Sequence, residues 1–265
     1  MKKPIVIVDK DGTKQLTMPA ELNSHLYTFA YSYLQPNGWF ADYPSDESGI
    51  TPWMTFPAIE FLKDILSKEN KVFEYGSGYS TIFFNNLAGE VVSVEHDHEW
   101  VDEVKKHLPN ANILLIGENA LVNAEAVSLV NEFIETFPQV RTDIREHDFM
   151  HGLINNEFAG YASTIYNYPK GYFDVVVLDG MARSLSGILA VERIAENGMI
   201  ILDNSDRWHY NVLQQYLREK GYKRIDFWGP GFNSYNAWCT SVFFKSLSFT
   251  NHRLDRPITE GPITI

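Results

Sequence analysis

The sequence predicts a doubly wound α/β fold around a mostly parallel sheet. Three observations carry that expectation. The first is Phe73-Glu74-Tyr75-Gly76-Ser77-Gly78-Tyr79-Ser80-Thr81, which follows Lys71-Val72 and precedes the helical stretch Ile82 to Leu87. That is a strand, a glycine turn and a helix, the ligand-binding corner of such sheets. The second is Val91-Val92-Ser93-Val94-Glu95, an apolar strand ending in an acid 17 residues after Gly78. In these sheets an acid there accepts hydrogen bonds from ribose hydroxyls. The third is a pair of apolar runs, Phe173 to Leu178 and Gly198 to Leu202. Both read as strands buried on two faces, and they end in Asp179-Gly180 and Asp203-Asn204.

The elements follow in order. Residues 1–50 read as a polar and aromatic leader without a clean period, with a turn at Asn37-Gly38. Residues from Trp39 to Trp53 read as an ordered loop. A helix begins near Pro57, which suits a first turn, and Ala58, Phe61, Leu62 and Ile65 give it an apolar face. After the two strands around the glycine turn come a helix over about 99–108 and a strand over 111–116. Residues 117–172 exceed a single crossover. Val122, Ala126, Val130, Phe133 and Phe137 recur at helical spacing, and the stretch of about 121–171 reads as an insertion covering the acceptor side. A helix over 184–195 follows the Asp179 strand. Another, over about 207–220, ends at Gly221. Residues 224–228 and 237–244 read as two strands around a long turn holding Gly229-Pro230-Gly231. The main domain therefore spans 51–245, and residues 246–265 form a tail.

Composition narrows the function. The 265 residues carry 22 basic and 34 acidic side chains, a formal net charge of −12. A phosphate-rich partner wants the opposite sign, so nucleic acid and anionic membrane are not expected partners. Cys239 is the only cysteine, which excludes an intrachain disulfide and cysteine zinc clusters. No run approaches the ~18 apolar residues of a membrane helix. The apolar run at Ile5 to Val8 is too short for a signal peptide, and a cytoplasmic setting is expected.

Glu74 stands two residues before Gly76, and Thr81 occupies the place of the third glycine of a dinucleotide fingerprint. A carboxylate sits badly beside a pyrophosphate and suits a ligand with a positive or hydrogen-donating group. The pattern E-x-G-x-G-x-S/T resembles motif I of class I S-adenosylmethionine-dependent methyltransferases. The resemblance covers roughly residues 50–245 and implies a seven-stranded sheet closed by an antiparallel C-terminal hairpin. It implies S-adenosylmethionine as cofactor, bound by Glu74, Gly76, Ser77, Gly78 and Glu95 and with Asp179 near it. Glu118, after the third strand, is the candidate for adenine, with Asp148 and Glu157 as competitors. Leu178 to Arg183, Leu202 to Arg207, Gly229-Pro230-Gly231 and the Trp53 loop look like a bacterial subgroup whose substrates are mostly unassigned.

The acceptor side has two readings. Asp179, then Asp203-Asn204, resembles the placement in catechol-type O-methyltransferases, where a divalent metal holds neighbouring hydroxyls. That implies Mg²⁺ or Ca²⁺ on Asp179, Asp203 and Asn204, all oxygen donors. Those enzymes carry a lysine three residues after the first Asp; here the position is Ala182, with Arg183 next. In the other reading Asp179 touches the cofactor region and Asp203-Asn204 caps a helix. Asp179, His147 and His209 are the candidate bases. His147 and His151 have the spacing of a helical zinc pair but lack the adjacent glutamate. Trp39, Phe40, Trp53, Tyr161 and Tyr166 are candidates for lining an acceptor pocket. The sequence thus points to methyl transfer to a small molecule, at oxygen. A nucleoside-binding or regulatory protein of this fold and a nicotinamide-dependent oxidoreductase are the alternatives.

Overall fold

The structure is a computed structural model that describes residues 5–8, 15–18, 51–136, 156–232 and 234–246. A short antiparallel hairpin pairs β1 (Ile5–Val8) with β2 (Gln15–Met18), in the register Ile5 opposite Met18. Strand pairing there was not legible as a period in the leader. The aromatic loop at 39–50 lies outside the described residues.

The main sheet has seven strands: β3 (Lys71–Tyr75), β4 (Glu90–Glu95), β5 (Ile113–Leu115), β6 (Val175–Leu178), β7 (Met199–Leu202), β8 (Lys223–Gly231) and β9 (Ser234–Phe244). Their order is β5-β4-β3-β6-β7-β9-β8. The first five in that order are mutually parallel, and β9 runs antiparallel to both β7 and β8. This is the doubly wound, mostly parallel seven-stranded sheet with a closing hairpin that the sequence predicts. From β3 the chain builds outward through β4 and β5, then returns to build the other way from β6. The two directions diverge between β3 and β6, and that switch point is where a crevice opens at the strand C-termini.

Alternation along the strands divides the core. Phe73, Tyr75, Val92, Val94, Val176, Leu178, Ile200 and Leu202 face one layer. There they meet α4 (Val127–Thr136), α5 (Ala159–Ala162), α6 (Arg183–Val191) and α7 (Asn211–Glu219). Val72, Val91, Val175, Val177, Met199 and Ile201 face the opposite layer. That layer holds α1 (Phe56–Ile65) and α2 (Tyr79–Leu87), with Phe56, Ile59, Leu62 and Phe84 buried. α3 (His98–His107) starts on Asp97, whose side chain caps the Glu99 amide at 2.9 Å. Pro57 sits in the first turn of α1, as its missing N–H allows.

One expectation shifts. Gly229-Pro230-Gly231 is part of β8, not a turn: Gly231 pairs with Ser234, and the register slips between Gly229 and Gly231. β8 is the last strand of the sheet, where a proline without an N–H is tolerated. Gly231 lies so close to Trp238 and the Met54 carbonyl that a Cβ would meet them at 2.2 and 2.4 Å. The stretch 121–171 is described in part. Its described parts form a helical layer on the sheet: Val130, Phe133, Tyr161, Ala162 and Ile165 share one core with Ile188 and Leu213. None of these described residues lines the crevice; residues 137–155 lie outside the description.

Candidate functional site

A cleft of about 890 Å³ opens at the C-terminal ends of β3, β4, β6 and β7. That volume lies in the range of small-molecule and cofactor sites. Its floor is the contact between two turns. Gly76 has φ +91°, and a Cβ there would lie 2.6 Å from the Gly180 Cα. A Cβ on Gly180 would lie 2.2 Å from the Tyr161 hydroxyl and 2.6 Å from the Gly76 nitrogen. Only glycine fits at either place. Gly78 has an extended backbone and heads α2. Gly78, Tyr79 and Ser80 line the cleft, so the positive end of the helix faces it.

Glu95 lies on the β4 side of the cleft. Its Oε2 accepts from the Ser77 amide at 2.9 Å, and its Oε1 accepts from the His96 and Asp97 amides at 2.8 and 3.0 Å. The same Oε1 lies 2.7 Å from His96 Nδ1. Hydrogen bonding to Glu95 raises the imidazole pKa. The Trp100 indole donates to the Ser77 carbonyl, and Trp100, Trp53 and Tyr79 form an aromatic cluster with centroids 5.9 to 6.4 Å apart. All three line the cleft.

Glu74 lies beneath the turn. It is fully buried and does not line the cleft. Its Oε2 accepts from the Thr81 and Ser93 hydroxyls, each at 2.5 Å. Thr81 Oγ1 also accepts from the Gly78 amide at 2.9 Å. Threonine in place of the third glycine is therefore the link between the buried acid and the turn. Burial raises the Glu74 carboxyl to about 7, against the pull of the surrounding hydroxyls. Glu74 supports the glycine turn from below through Thr81.

The corner at the ends of β6 and β7 is built from side chains. The Arg183 guanidinium lies between the ends of β6 and β7, bonded to the Asp179 and Asp203 carbonyls at 2.8 and 2.9 Å. It also pairs with the Asp179 carboxylate at 2.8 Å. Asp203 is buried, and its Oδ1 accepts from Thr240 Oγ1 at 2.5 Å and Trp238 Nε1 at 2.9 Å. Burial raises the Asp179 carboxyl to about 8; Arg183 pulls it down, and Asp203 and Glu74 push it up. Ala182, just before Arg183, is left-handed at φ 46° and buried. That conformation costs a non-glycine residue about 1–2 kcal/mol.

Asp179, Asp203 and Asn204 are thus brought together, but as a metal site they do not fit. Arg183 stands among them, and Asp203 Oδ1 is already committed to Thr240 and Trp238. Among the described residues no group of three His, Cys, Asp or Glu could hold a metal.

The remaining candidates separate. Gly76, Ser77, Gly78, Glu95 and Asp179 all line the cleft. Glu118 is exposed and does not line it. His209 stacks on Trp208 with centroids 4.2 Å apart, outside the cleft lining. His147 lies outside the described residues. Trp53 lines the cleft, whereas Tyr161 is buried beneath Gly180 and Tyr166 packs on Arg193. Sequence reasoning missed His96, Trp100, Arg183, Arg207 and Trp238 among the lining residues. Arg183 carried the one usable signal, standing one place beyond the expected lysine.

No family model matches the chain, and no curated protein does. Solved structures with a similar fold include a precorrin-6y C5,15-methyltransferase from Geobacter metallireducens, with TM-score 0.43, 15% identity, and 77% of this chain and 91% of that one covered. A methyltransferase-like protein from Silicibacter pomeroyi gives 0.40, 19%, 73% and 89%. A spermidine synthase from Thermotoga maritima gives 0.41, 11%, 75% and 62%. Similarity at this level carries no statement about activity. The strand order, the antiparallel β9 and the glycine turn at the switch point together make this a Rossmann-like, mostly parallel seven-stranded sheet with an antiparallel closing hairpin. No described helix is long and apolar enough to cross a membrane.

Proposed function

We propose that this chain transfers a methyl group from S-adenosylmethionine to a hydroxyl oxygen of a small-molecule acceptor, with Asp179 as base. The observation that carries the reading is one cleft joining the Gly76–Gly78 turn and Glu95 to the Asp179 carboxyl. The cofactor supplies a methyl group already activated on its sulfonium. The glycine turn and the α2 N-terminus give it backbone room and a positive end for a carboxylate. Glu95 serves the ribose by exchanging its Ser77 and His96 contacts for hydroxyl donors. Asp179 takes the acceptor's proton in its ionised form; the raised pKa makes that carboxylate a stronger base than an exposed one, with the ionised fraction growing as pH rises toward about 8. The aromatic cluster of Trp53, Tyr79 and Trp100 shields the cleft on one side. The net charge of −12 supports a small acceptor over nucleic acid, and the lone cysteine is consistent with a cytoplasmic setting.

Calorimetry with S-adenosylhomocysteine tests the cofactor half. Wild type should bind it, and Glu95→Ala should lose on the order of 1–3 kcal/mol of binding, as for a charged hydrogen bond. Binding of NAD without binding of S-adenosylhomocysteine ends the reading in favour of an oxidoreductase. Binding without turnover on any hydroxyl acceptor leaves a nucleoside-binding protein.

A further inference from the structure

The acids at the ends of β6 and β7 converge as a cation site would, and a cation is already there. Arg183 is only 4% exposed. Its Nε donates to the Gly180 carbonyl at 3.1 Å. Nη1 donates to the Asp203 carbonyl at 2.9 Å and to Asn204 Oδ1 at 3.3 Å. Nη2 donates to the Asp179 carbonyl and meets Asp179 Oδ1, both at 2.8 Å. A guanidinium has five N–H donors in a fixed fork; here four hydrogen bonds and the ion pair to Asp179 hold it from all three nitrogens. A hard divalent ion wants six or more oxygens at about 2.0–2.6 Å. Here it would have to displace the guanidinium or stand beside a second buried positive charge.

We infer that Arg183 is the resident cation of this site, a positioning residue that ties β6 to β7 and fixes the Asp179 carboxylate in place of a bound divalent metal. The inference rests on the proposed methyl transfer only for what Asp179 does. The left-handed Ala182 supports it, because that turn starts α6 so that Arg183 reaches back over the Asp179 and Gly180 carbonyls. A lysine could not replace the fork: its three donors sit on one nitrogen and cannot span both strand ends.

The first test uses wild-type protein titrated calorimetrically with MgCl₂, CaCl₂ and, in parallel, S-adenosylhomocysteine. No saturable heat is expected from either metal, and EDTA should leave the melting temperature unchanged. The second melts Arg183→Ala in guanidinium chloride at about 10–50 mM, against equal NaCl and urea, a range far below the molar concentrations at which guanidinium unfolds proteins. Guanidinium alone should raise its melting temperature, while wild type shows no rise. In turnover, Arg183→Lys should lower kcat by roughly tenfold or more with KM for S-adenosylmethionine within about threefold, the sign of an interaction used after binding. Added guanidinium should restore kcat in Arg183→Ala.

Saturable Mg²⁺ or Ca²⁺ binding by wild type that Asp179→Asn abolishes overturns the inference. So does an Arg183→Ala protein that melts like wild type or ignores guanidinium. If that variant does not fold, the wild-type metal titration and Arg183→Lys decide the matter. Absence of S-adenosylhomocysteine binding would remove the methyltransferase reading and leave the cation assignment standing.

Discussion

The two corners of the cleft are made of different materials. The corner at β3 and β4 is mostly main chain: glycines, a helix end, and a carboxylate gripped by amides of neighbouring residues. The corner at β6 and β7 is mostly side chain: Asp179, Arg183, Asp203, Trp238 and Thr240, drawn from three strands and a helix. The first is held by backbone groups, among them the Ser77 amide on Glu95 and the Gly76–Gly180 contact, and the second by side chains up to 37 residues apart. A main-chain site tolerates few residue types at few positions. A side-chain site depends on every member being present, since each one's loss leaves another uncompensated.

Breaking the side-chain corner should have the largest effect. Arg183→Met leaves Asp179 and Asp203 without their cation and should cost about 3–5 kcal/mol in urea unfolding, as for a broken buried ion pair. The matching experiment on the glycine contact is Gly180→Ala, in the β6 turn that rests against Gly76. Its Cβ would strike the Tyr161 hydroxyl and the Gly76 backbone, and overpacking of that kind costs about 1–3 kcal/mol. If Gly180→Ala were neutral, the interlocked turns would not be the constraint described above.

Glu74 sharpens the comparison through pH. An unfolded glutamate ionises near 4.3, whereas folded Glu74 keeps its proton to about 7. The raised value means the group's contribution is complete below the unfolded pKa and is lost as pH rises toward 7. Glu74→Gln removes that dependence. Its stability relative to wild type should climb between those values with a slope of at most about 1.4 kcal/mol per pH unit, then level off. A flat difference across that window would show that Glu74 ionises like an exposed acid. The smallest effect should come from Trp238→Phe. It removes one donor from Asp203 and leaves Thr240 in place, so about 0.5–1.5 kcal/mol is expected from chemical denaturation.

Legibility in the sequence follows the same division. Gly76, Gly78 and Glu95 were readable because a strand, a glycine turn and a following acid are local patterns with fixed spacing. The apolar runs at β6 and β7 were readable because strands buried on both faces have no other composition. Glu74 was readable in the motif, but its depth was not. Three hydroxyl residues, Ser80, Thr81 and Ser93, place it below the turn, and only the packing of α2 on β4 brings them to it. Arg183 was seen as a departure from a lysine pattern. Its role needed the left-handed Ala182, which no residue preference announces. Gly229-Pro230-Gly231 has the composition of a turn, and edge position overrides that composition by making a missing N–H harmless.

The contact between Gly76 and Gly180 has a mechanical consequence. Two backbones touching without side chains leave no compressible layer between the β3 and β6 turns, and Arg183 clamps the next turn to β7. The floor of the cleft therefore moves as one piece. Entry and exit of a ligand fall to the exposed aromatic rim, where Trp53 and Phe232 remain 46% and 38% accessible. Ligand residence time should accordingly respond to changes at those two side chains more than to any change in the turns beneath.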